Sequence, residues 1–184
     1  EEIELNHHLE EIGVESLETD LGEYIVQLAG EKPYHIVTPC MHKSRQDIAR
    51  LFTEKFNTPE GSEPEYLTAW VRQKLRQKFT SADVGITGAN FLVADVGGIC
   101  LTENEGNALM SVSFPKIHIV IAGIEKVIPR MQDLGLMWPI LAVHGTGQQI
   151  SVYNSLITGP KKSMEMDGPE KMFVILLDNK RSEL

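Results

Sequence analysis

Glycines and hydrogen-bonding side chains are most concentrated in one stretch of the chain, residues 85–107. This stretch holds five glycines, and glycine at a strand end permits either a tight turn or the close approach of a ligand to the backbone. We therefore predict a ligand-binding site here, and we add one nearby lysine that could pair with an anion. The candidate residues are Thr87, Gly88, Asn90, Asp95, Gly97, Gly98, Glu103, Asn104, Glu105, Gly106, Asn107 and Lys116. The alternative is that the Gly97-Gly98 pair forms a hairpin turn and residues 103–107 form a polar loop.

Other patterns typical of enzymes are absent from the sequence. It contains no phosphate-binding P-loop, no nucleophile-elbow serine and no two-histidine zinc helix. Gly145-Thr146-Gly147 begins a dinucleotide-binding pattern, but Ile150 stands at the position of its third glycine. The six histidines show no metal-ligand spacing with a carboxylate, so we predict no metal site and assign no catalytic residue.

Composition and charge restrict the function classes. The formal net charge is −9, and residues 1–31 contain ten acidic residues but no lysine or arginine. An acidic surface repels phosphate backbones, which argues against nucleic-acid binding. No apolar stretch is long enough to span a membrane. Only two cysteines are present, Cys40 and Cys100, which favours a reducing, cytoplasmic setting over a disulfide scaffold. Because the chain has no initiator methionine, we expect it to be a piece of a longer protein.

Hydrophobic spacing and capping residues predict alternating helices and strands. We expect helices over residues 1–13, 21–29, 45–56, 63–79 and 124–134. We expect strands over residues 14–19, 35–39, 84–87, 91–94, 99–102, 116–122, 151–158 and 172–177, whereas residues 136–148 fit either structure. This order predicts an α/β fold with a mostly parallel sheet and helices on its faces. A length of 184 residues predicts one domain, residues 1–184.

Several stretches resemble the LUD (lactate-utilisation) domain family, in particular its iron–sulphur subunits. The central similarity runs from Thr87-Gly88-Ala89-Asn90 through Asp95-Val96-Gly97-Gly98 to Asn104-Glu105-Gly106-Asn107. Supporting stretches include Phe114-Pro-Lys-Ile-His118, Gly123-Ile-Glu-Lys126 and Leu177-Asp-Asn179, and the resemblance covers essentially the whole chain. It implies a single LUD-type domain with a three-layer α/β/α fold, similar to the sugar-phosphate isomerase and CoA-transferase folds (NagB/RpiA/CoA-transferase-like).

The resemblance also implies a function. Such subunits belong to a cytoplasmic iron–sulphur complex that oxidises L-lactate to pyruvate and passes the electrons on. The family carries its 4Fe-4S clusters in a ferredoxin-like region after this domain, so we expect no cofactor in this fragment and clusters in the full-length protein. The implied partners are the other lactate-utilisation subunits. On this basis residues 87–107 with Lys116 would bind a small carboxylate or a partner segment.

Two alternatives remain open. The stretch Thr102-Glu103-Asn104-Glu105-Gly106 faintly resembles the site in which some CoA transferases carry a glutamate nucleophile, so Glu103 could form an acyl anhydride. The chain could instead be a non-catalytic docking module. It would then use either the acidic amino-terminal region or the basic cluster at Arg72, Lys74, Arg76 and Lys78.

Overall fold

The structure is a computed structural model, and it describes residues 3–183. Those residues form two compact units, one ending at Gln73 and the other beginning at Lys74. The predicted amino-terminal helix began at residue 1, so its first two residues lie outside the described part. The prediction of one domain over residues 1–184 stays a prediction.

The first unit is helical, and local capping chemistry sets its helix ends. It contains α1 (Leu5–Glu11), α2 (Leu21–Ala29), α3 (Arg45–Phe56) and the first part of α4 (Pro64–Ser81). The Asp20 carboxylate accepts a hydrogen bond from the Glu23 N–H at 3.0 Å, and Gly30 ends α2 in the left-handed region. Ser44 and Asp47 form a reciprocal capping box at the start of α3. The helices over residues 21–29 and 45–56 were predicted from these caps and are confirmed, and α1 and α4 correspond to the helices predicted over residues 1–13 and 63–79.

Two strands predicted in this unit are wrong. Residues 14–19 form no strand, because side chains satisfy their backbone: Gln27 Nε2 donates to the Ser16 carbonyl, and Gln27 Oε1 accepts from the Glu18 N–H, both at 3.0 Å. Residues 35–39 form turns, since the His35 ring nitrogen Nδ1 accepts the Val37 N–H at 3.1 Å. Such local side-chain bonds compete with a strand ladder, and here they replace it.

The second unit contains all seven strands found within residues 3–183. In chain order they are β1 (Val84–Thr87), β2 (Phe91–Val93), β3 (Gly98–Glu103), β4 (Ile117–Gly123), β5 (Val127–Ile128), β6 (Tyr153–Ile157) and β7 (Lys171–Leu177). Sheet A has the order β1-β4-β7 and is parallel throughout. Sheet B has the order β5-β2-β3-β6, with one parallel and two antiparallel pairings. The predicted α/β fold with mostly parallel strand pairing is confirmed, and the β-branched strand around residue 119 is central, as expected.

Two further helices complete this unit, α5 (Asn107–Ser113) and α6 (Leu134–Thr146). The helix predicted over residues 124–134 is wrong, because two short 3₁₀ turns and strand β5 occupy this segment. Pro129 explains the difference: it lacks an N–H and disfavours helical geometry in the residue before it. The ambiguous residues 136–148 fall mostly within α6.

The core of the second unit uses both faces of sheet B. Phe91 and Val93 of β2 pack in a buried cluster with Leu134 of α6, whereas Leu92, which points the other way, packs with Val120 and Ala122 of β4. Strand β2 therefore contacts α6 on one side and sheet A on the other.

We predict that Gly85→Ala strongly destabilises the second unit. A Cβ atom at Gly85 would lie 1.8 Å from the Ser111 carbonyl oxygen, and a backbone atom cannot move aside cheaply. We expect the free energy of unfolding to fall by about 3 kcal/mol or more, as in an overpacked core. Urea unfolding followed by circular dichroism measures this loss.

Gly135→Ala is the matched control, because nothing lies within 4 Å of a Cβ atom at this helical position. Alanine favours a helix over glycine, so this variant should be as stable as the unchanged protein or slightly more stable. Equal stability of the two variants would contradict the close contact between α5 and β1.

Candidate functional site

The carboxyl ends of three parallel strands meet at one edge of sheet A. Residues 87–90 follow at the end of β1, residues 123–125 at the end of β4 and residues 178–181 at the end of β7. All three segments overlap stretches that carried the family resemblance in the sequence. In open parallel sheets, ligands bind in the crevice outside this edge, so this edge is the candidate functional site.

Helix α5 brings a second candidate segment to the same edge. The helix crosses β1 where the Ser111 carbonyl faces Gly85, and it ends at Ser113, shortly before β4 begins at the opposite edge. Its first residues are therefore directed toward the carboxyl ends of the strands. The Asn90 side chain, which accepts the Thr102 N–H at 2.7 Å, joins the loop after β1 to the end of β3. The structure thus places Thr87, Gly88 and Asn90 together with residues 103–107.

Glu103 has a structural role at this edge. Its two carboxylate oxygens accept the backbone N–H groups of Ala108 and Leu109, at 2.7 and 2.8 Å. These amides belong to the first turn of α5 and have no partner within the helix, so the carboxylate acts as its cap. A carboxylate engaged on both oxygens is poorly placed to attack an acyl group.

Asn104 and Gly106 shape the loop between β3 and α5. The Asn104 amide exchanges hydrogen bonds with the Gln148 amide at 3.0 and 3.2 Å, and it also accepts the Val152 N–H at 3.1 Å. Gly106 has a φ of 81° and stands directly before α5, with the Tyr153 ring 3.7 Å from the position of a Cβ atom. Glu105 and Asn107 complete this loop, and both take part in further interactions.

Four predicted site residues lie elsewhere. Asp95 and Gly97 belong to the hairpin turn between β2 and β3, and Gly98 begins β3, all at the far end of β2 from Asn90. The Asp95 carboxylate accepts the Met131 N–H at 3.1 Å, and Gly97 has a φ of 60° that suits glycine in a turn. Lys116 is exposed and precedes β4 at the amino edge of sheet A. Thr87 pairs with Val120, which lies four residues further along the strand than Lys116. The structure therefore does not bring Lys116 to the carboxyl edge.

His118 is a site residue that the sequence analysis did not select. It lies on β4 with no exposed surface, and its Nε2 atom is 2.8 Å from Thr87 Oγ1. The Nδ1 atom is buried without a hydrogen-bond partner. Burial lowers the pKa of His118 to about 4, so the ring is neutral near pH 7. The stretch Phe114-Pro-Lys-Ile-His118, which carries part of the family resemblance, is the feature of the sequence that points to it.

Arg181 and Glu125 form an ion pair at the same edge, with Arg181 Nε 2.6 Å from a Glu125 carboxylate oxygen. Gly123 makes room for it, since a Cβ atom there would lie 2.1 Å from that carboxylate. Side chains alternate along a strand, so Gly123 faces the side of Ile121, whereas Thr87 faces the side of Val120. The ion pair and Thr87 therefore lie on opposite faces of sheet A.

The described residues do not fit a metal or an iron–sulphur cluster. No group of three or more histidine, cysteine or acidic side chains within residues 3–183 could hold a metal ion. Both cysteines are free thiols, Cys40 in the first unit and Cys100 in the second. Cys100 is fully buried, and burial raises its pKa to about 11, which disfavours the thiolate that a metal requires. Likewise, none of the helices in this part of the chain has the length and apolar character to cross a membrane.

Comparison with known proteins gives a consistent family. Residues 3–177 match the LUD domain. Lactate utilization protein B of Bacillus cereus (strain AH820) is 43% identical over 184 residues, and the Uncharacterized electron transport protein YkgF of Escherichia coli (strain K12) is 42% identical. Each alignment covers 100% of this chain and 39% of the relative, so the chain spans about two fifths of the length of these relatives.

Among solved structures, a DUF162 family protein from Deinococcus radiodurans aligns with 84% of this chain and 92% of its own chain. The TM-score is 0.42 and the sequence identity is 14%.

We predict that Glu103→Ala destabilises α5. The substitution removes the acceptor of two helix N–H groups, and losing a helix cap costs about 1–2 kcal/mol. Urea unfolding of the variant measures this cost. Glu170→Ala is the control, because Glu170 is exposed and its side chain makes no hydrogen bond or ion pair described for residues 3–183. Equal losses in both variants would refute the capping role.

We also predict an acid-labile contribution from His118. The unfolded chain takes up a proton near pH 6.5, whereas the folded chain does so only near pH 4. The stability contributed by the neutral ring is therefore complete above pH 6.5 and is lost as the pH falls from 6.5 to 4. This difference corresponds to about 3 kcal/mol. Unfolding free energies measured between pH 4 and 8 test the prediction.

His118→Gln should flatten this part of the pH profile, since glutamine does not titrate. His144→Gln, at an exposed position of α6, is the matched substitution of a second histidine. Carboxyl groups with a lowered pKa, such as those of Glu31, Asp47 and Asp178, also reduce the stability of the protein when acid protonates them. This loss is the same in every variant. A profile of His118→Gln that parallels the unchanged protein would show that His118 is not the source.

Proposed function

This chain belongs to the LUD domain family, and we propose that it serves in lactate utilisation. In this proposal it is a domain of an iron–sulphur protein whose complex oxidises L-lactate to pyruvate and passes the electrons on. One observation carries the proposal: the similarity to lactate utilization protein B extends over all 184 residues at 43% identity. The name of the Escherichia coli relative, an electron transport protein, supports the same reading.

The proposed reaction needs an electron acceptor outside the described residues. L-lactate becomes pyruvate by giving up two electrons and two protons. The free cysteines of this chain cannot supply a four-cysteine cluster, and Cys100 is buried. We therefore assign the 4Fe-4S clusters to the remaining length of the full-length protein, and we route no step of the reaction through them here.

The carboxyl edge of sheet A is our proposed site for the small carboxylate. Gly88, the next residue, is exposed, and a Cβ atom there would contact only the Ile121 carbonyl oxygen, at 3.8 Å, so the backbone that follows β1 is uncovered. Thr87 is half-buried and carries a hydroxyl group at this edge. The charge of Glu103 is directed at the amides of α5, which reduces its repulsion of an anion. In contrast, Asp95 and Lys116 lie too far away to contribute to this site.

The alternative of an acyl transferase has less support, because both oxygens of Glu103 are held by the first turn of α5.

A docking role is compatible with the proposed function. Arg72, Lys74 and Arg76 on α4 are exposed, and none of them forms an ion pair with another described residue. Arg72 and Arg76 are four residues apart and so share one face of α4, and we propose that this face binds an acidic face of another lactate-utilisation subunit. We place the complex in the cytoplasm, where free thiols such as Cys40 persist.

The proposed function predicts lactate-dependent reduction of iron–sulphur clusters. The full-length protein, purified without air, should contain iron and acid-labile sulphide. Its visible absorbance should bleach when L-lactate is added with the partner subunits, and D-lactate serves as the stereochemical control. A protein without iron, or one whose clusters stay oxidised in L-lactate, would contradict the proposal.

Charge reversal on α4 tests the proposed partner surface. Arg72→Glu with Arg76→Glu should weaken binding to the partner subunits at least tenfold at low salt, because attraction becomes repulsion. Glu60→Lys with Glu63→Lys is the control, since it changes the net charge in the same helix region by as much in the opposite direction. Surface plasmon resonance at two salt concentrations measures both. Unchanged binding by the α4 variant would exclude this surface.

A further inference from the structure

The direction of the hydrogen bond between His118 and Thr87 depends on which ring nitrogen carries the proton, and the surroundings of the ring favour one form. His118 is fully buried, and Thr87 Oγ1 is the partner of its Nε2 atom, at 2.8 Å. A neutral histidine carries one N–H, on either Nε2 or Nδ1, and the other nitrogen is an acceptor. Because Nδ1 has no partner, the position of this proton decides which buried group remains unsatisfied.

The two arrangements differ in cost. If Nδ1 carries the proton, a buried N–H donor has no acceptor. If Nε2 carries it, that N–H donates to Thr87 and only an acceptor lone pair on Nδ1 is unsatisfied. Buried N–H groups without an acceptor are rarer in proteins than acceptors with unused capacity. The geometry therefore favours the form with the proton on Nε2.

This arrangement fixes the role of the Thr87 hydroxyl. Its oxygen accepts from His118, so its own hydrogen is free to donate. The Thr87 hydroxyl has no other hydrogen bond with the part of the chain that is described. Thr87 is half-buried at the carboxyl end of β1, so part of the residue is accessible to a ligand at this edge. With one lone pair engaged by His118 and its own hydrogen unused, the hydroxyl can donate to ligand groups that accept hydrogen bonds.

We propose that His118 holds the Thr87 hydroxyl as a dedicated hydrogen-bond donor to a carboxylate or keto oxygen of a small 2-oxo or 2-hydroxy acid. The inference rests on the proposed function for its choice of ligand. His118 is a positioning residue here, because it is buried behind Thr87 and acts through it. Thr87 is the residue that contacts the ligand.

The ring nitrogens of His118 provide a direct test. The full-length protein is labelled with ¹⁵N in its histidine rings, and each ring nitrogen is classified by nuclear magnetic resonance as protonated or unprotonated. We expect a protonated Nε2 and an unprotonated Nδ1, and both resonances should shift when pyruvate is added. A proton on Nδ1, or resonances that do not respond to pyruvate or L-lactate, would overturn the inference. This test needs no variant.

Variants provide a second test by calorimetric titration with pyruvate. Thr87→Val keeps the side-chain volume but removes the donor, so affinity should fall roughly tenfold or more. Thr87→Ser should restore most of it. Thr68→Val makes the same chemical change at an exposed position of α4 and is the control. If Thr87→Val binds pyruvate as tightly as the unchanged protein, Thr87 is not the donor.

The outcomes separate this inference from the proposed function. Cluster reduction by L-lactate without any response at His118 would leave the proposed function standing and remove the inference. A pyruvate response at His118 and Thr87 in a protein whose clusters stay oxidised in L-lactate would do the reverse.

Discussion

The contact of α5 with β1 at Gly85 is the constraint on which the candidate site depends. The Ser111 carbonyl lies so close to this position that any side chain would displace the helix. This contact sets where α5 lies on sheet A, and with it where the loop of residues 103–107 meets the end of β1. The same side of the sheet as Gly85 is faced by the three buried residues that alternate along β4, namely His118, Val120 and Ala122. The absence of a side chain at Gly85 thus lets α5 approach β1, and this approach determines where the polar groups of the loop lie.

Most polar residues at this edge are already engaged in holding the fold together. Asn90 binds the backbone of β3, Glu103 caps α5, and Asn104 connects the loop to the segment before β6. A cluster of polar residues in a sequence therefore combines two kinds of residue, those that build the loops and those left available for a ligand. At this edge, the Thr87 hydroxyl accepts a hydrogen bond from His118 in our proposal, and its own hydrogen remains able to donate.

His118 shows how a buried polar group can serve a neighbouring residue. Burial keeps its ring neutral and holds it beside Thr87, at the cost of one nitrogen without a partner. A leucine would fill the same space without this cost. A buried nitrogen without a partner therefore needs an explanation. Orienting the Thr87 hydroxyl is an explanation that fits the geometry.

The sequence by itself determined the locally specified features: the caps Asp20 and Ser44, the glycine ends of helices, and the β-branched central strand β4. It also identified the family and most of the residues now at the carboxyl edge. The sequence pattern wrongly predicted strands at residues 14–19 and 35–39, where side chains bind the backbone groups that a strand would pair. It wrongly predicted a helix at residues 124–134, where pairing with β2 overrides the helical spacing. Only the tertiary structure separated Asp95 and Lys116 from Thr87 and brought His118 to it. Strand order and register decide which residues become neighbours, and they arise from pairing between segments far apart in the chain.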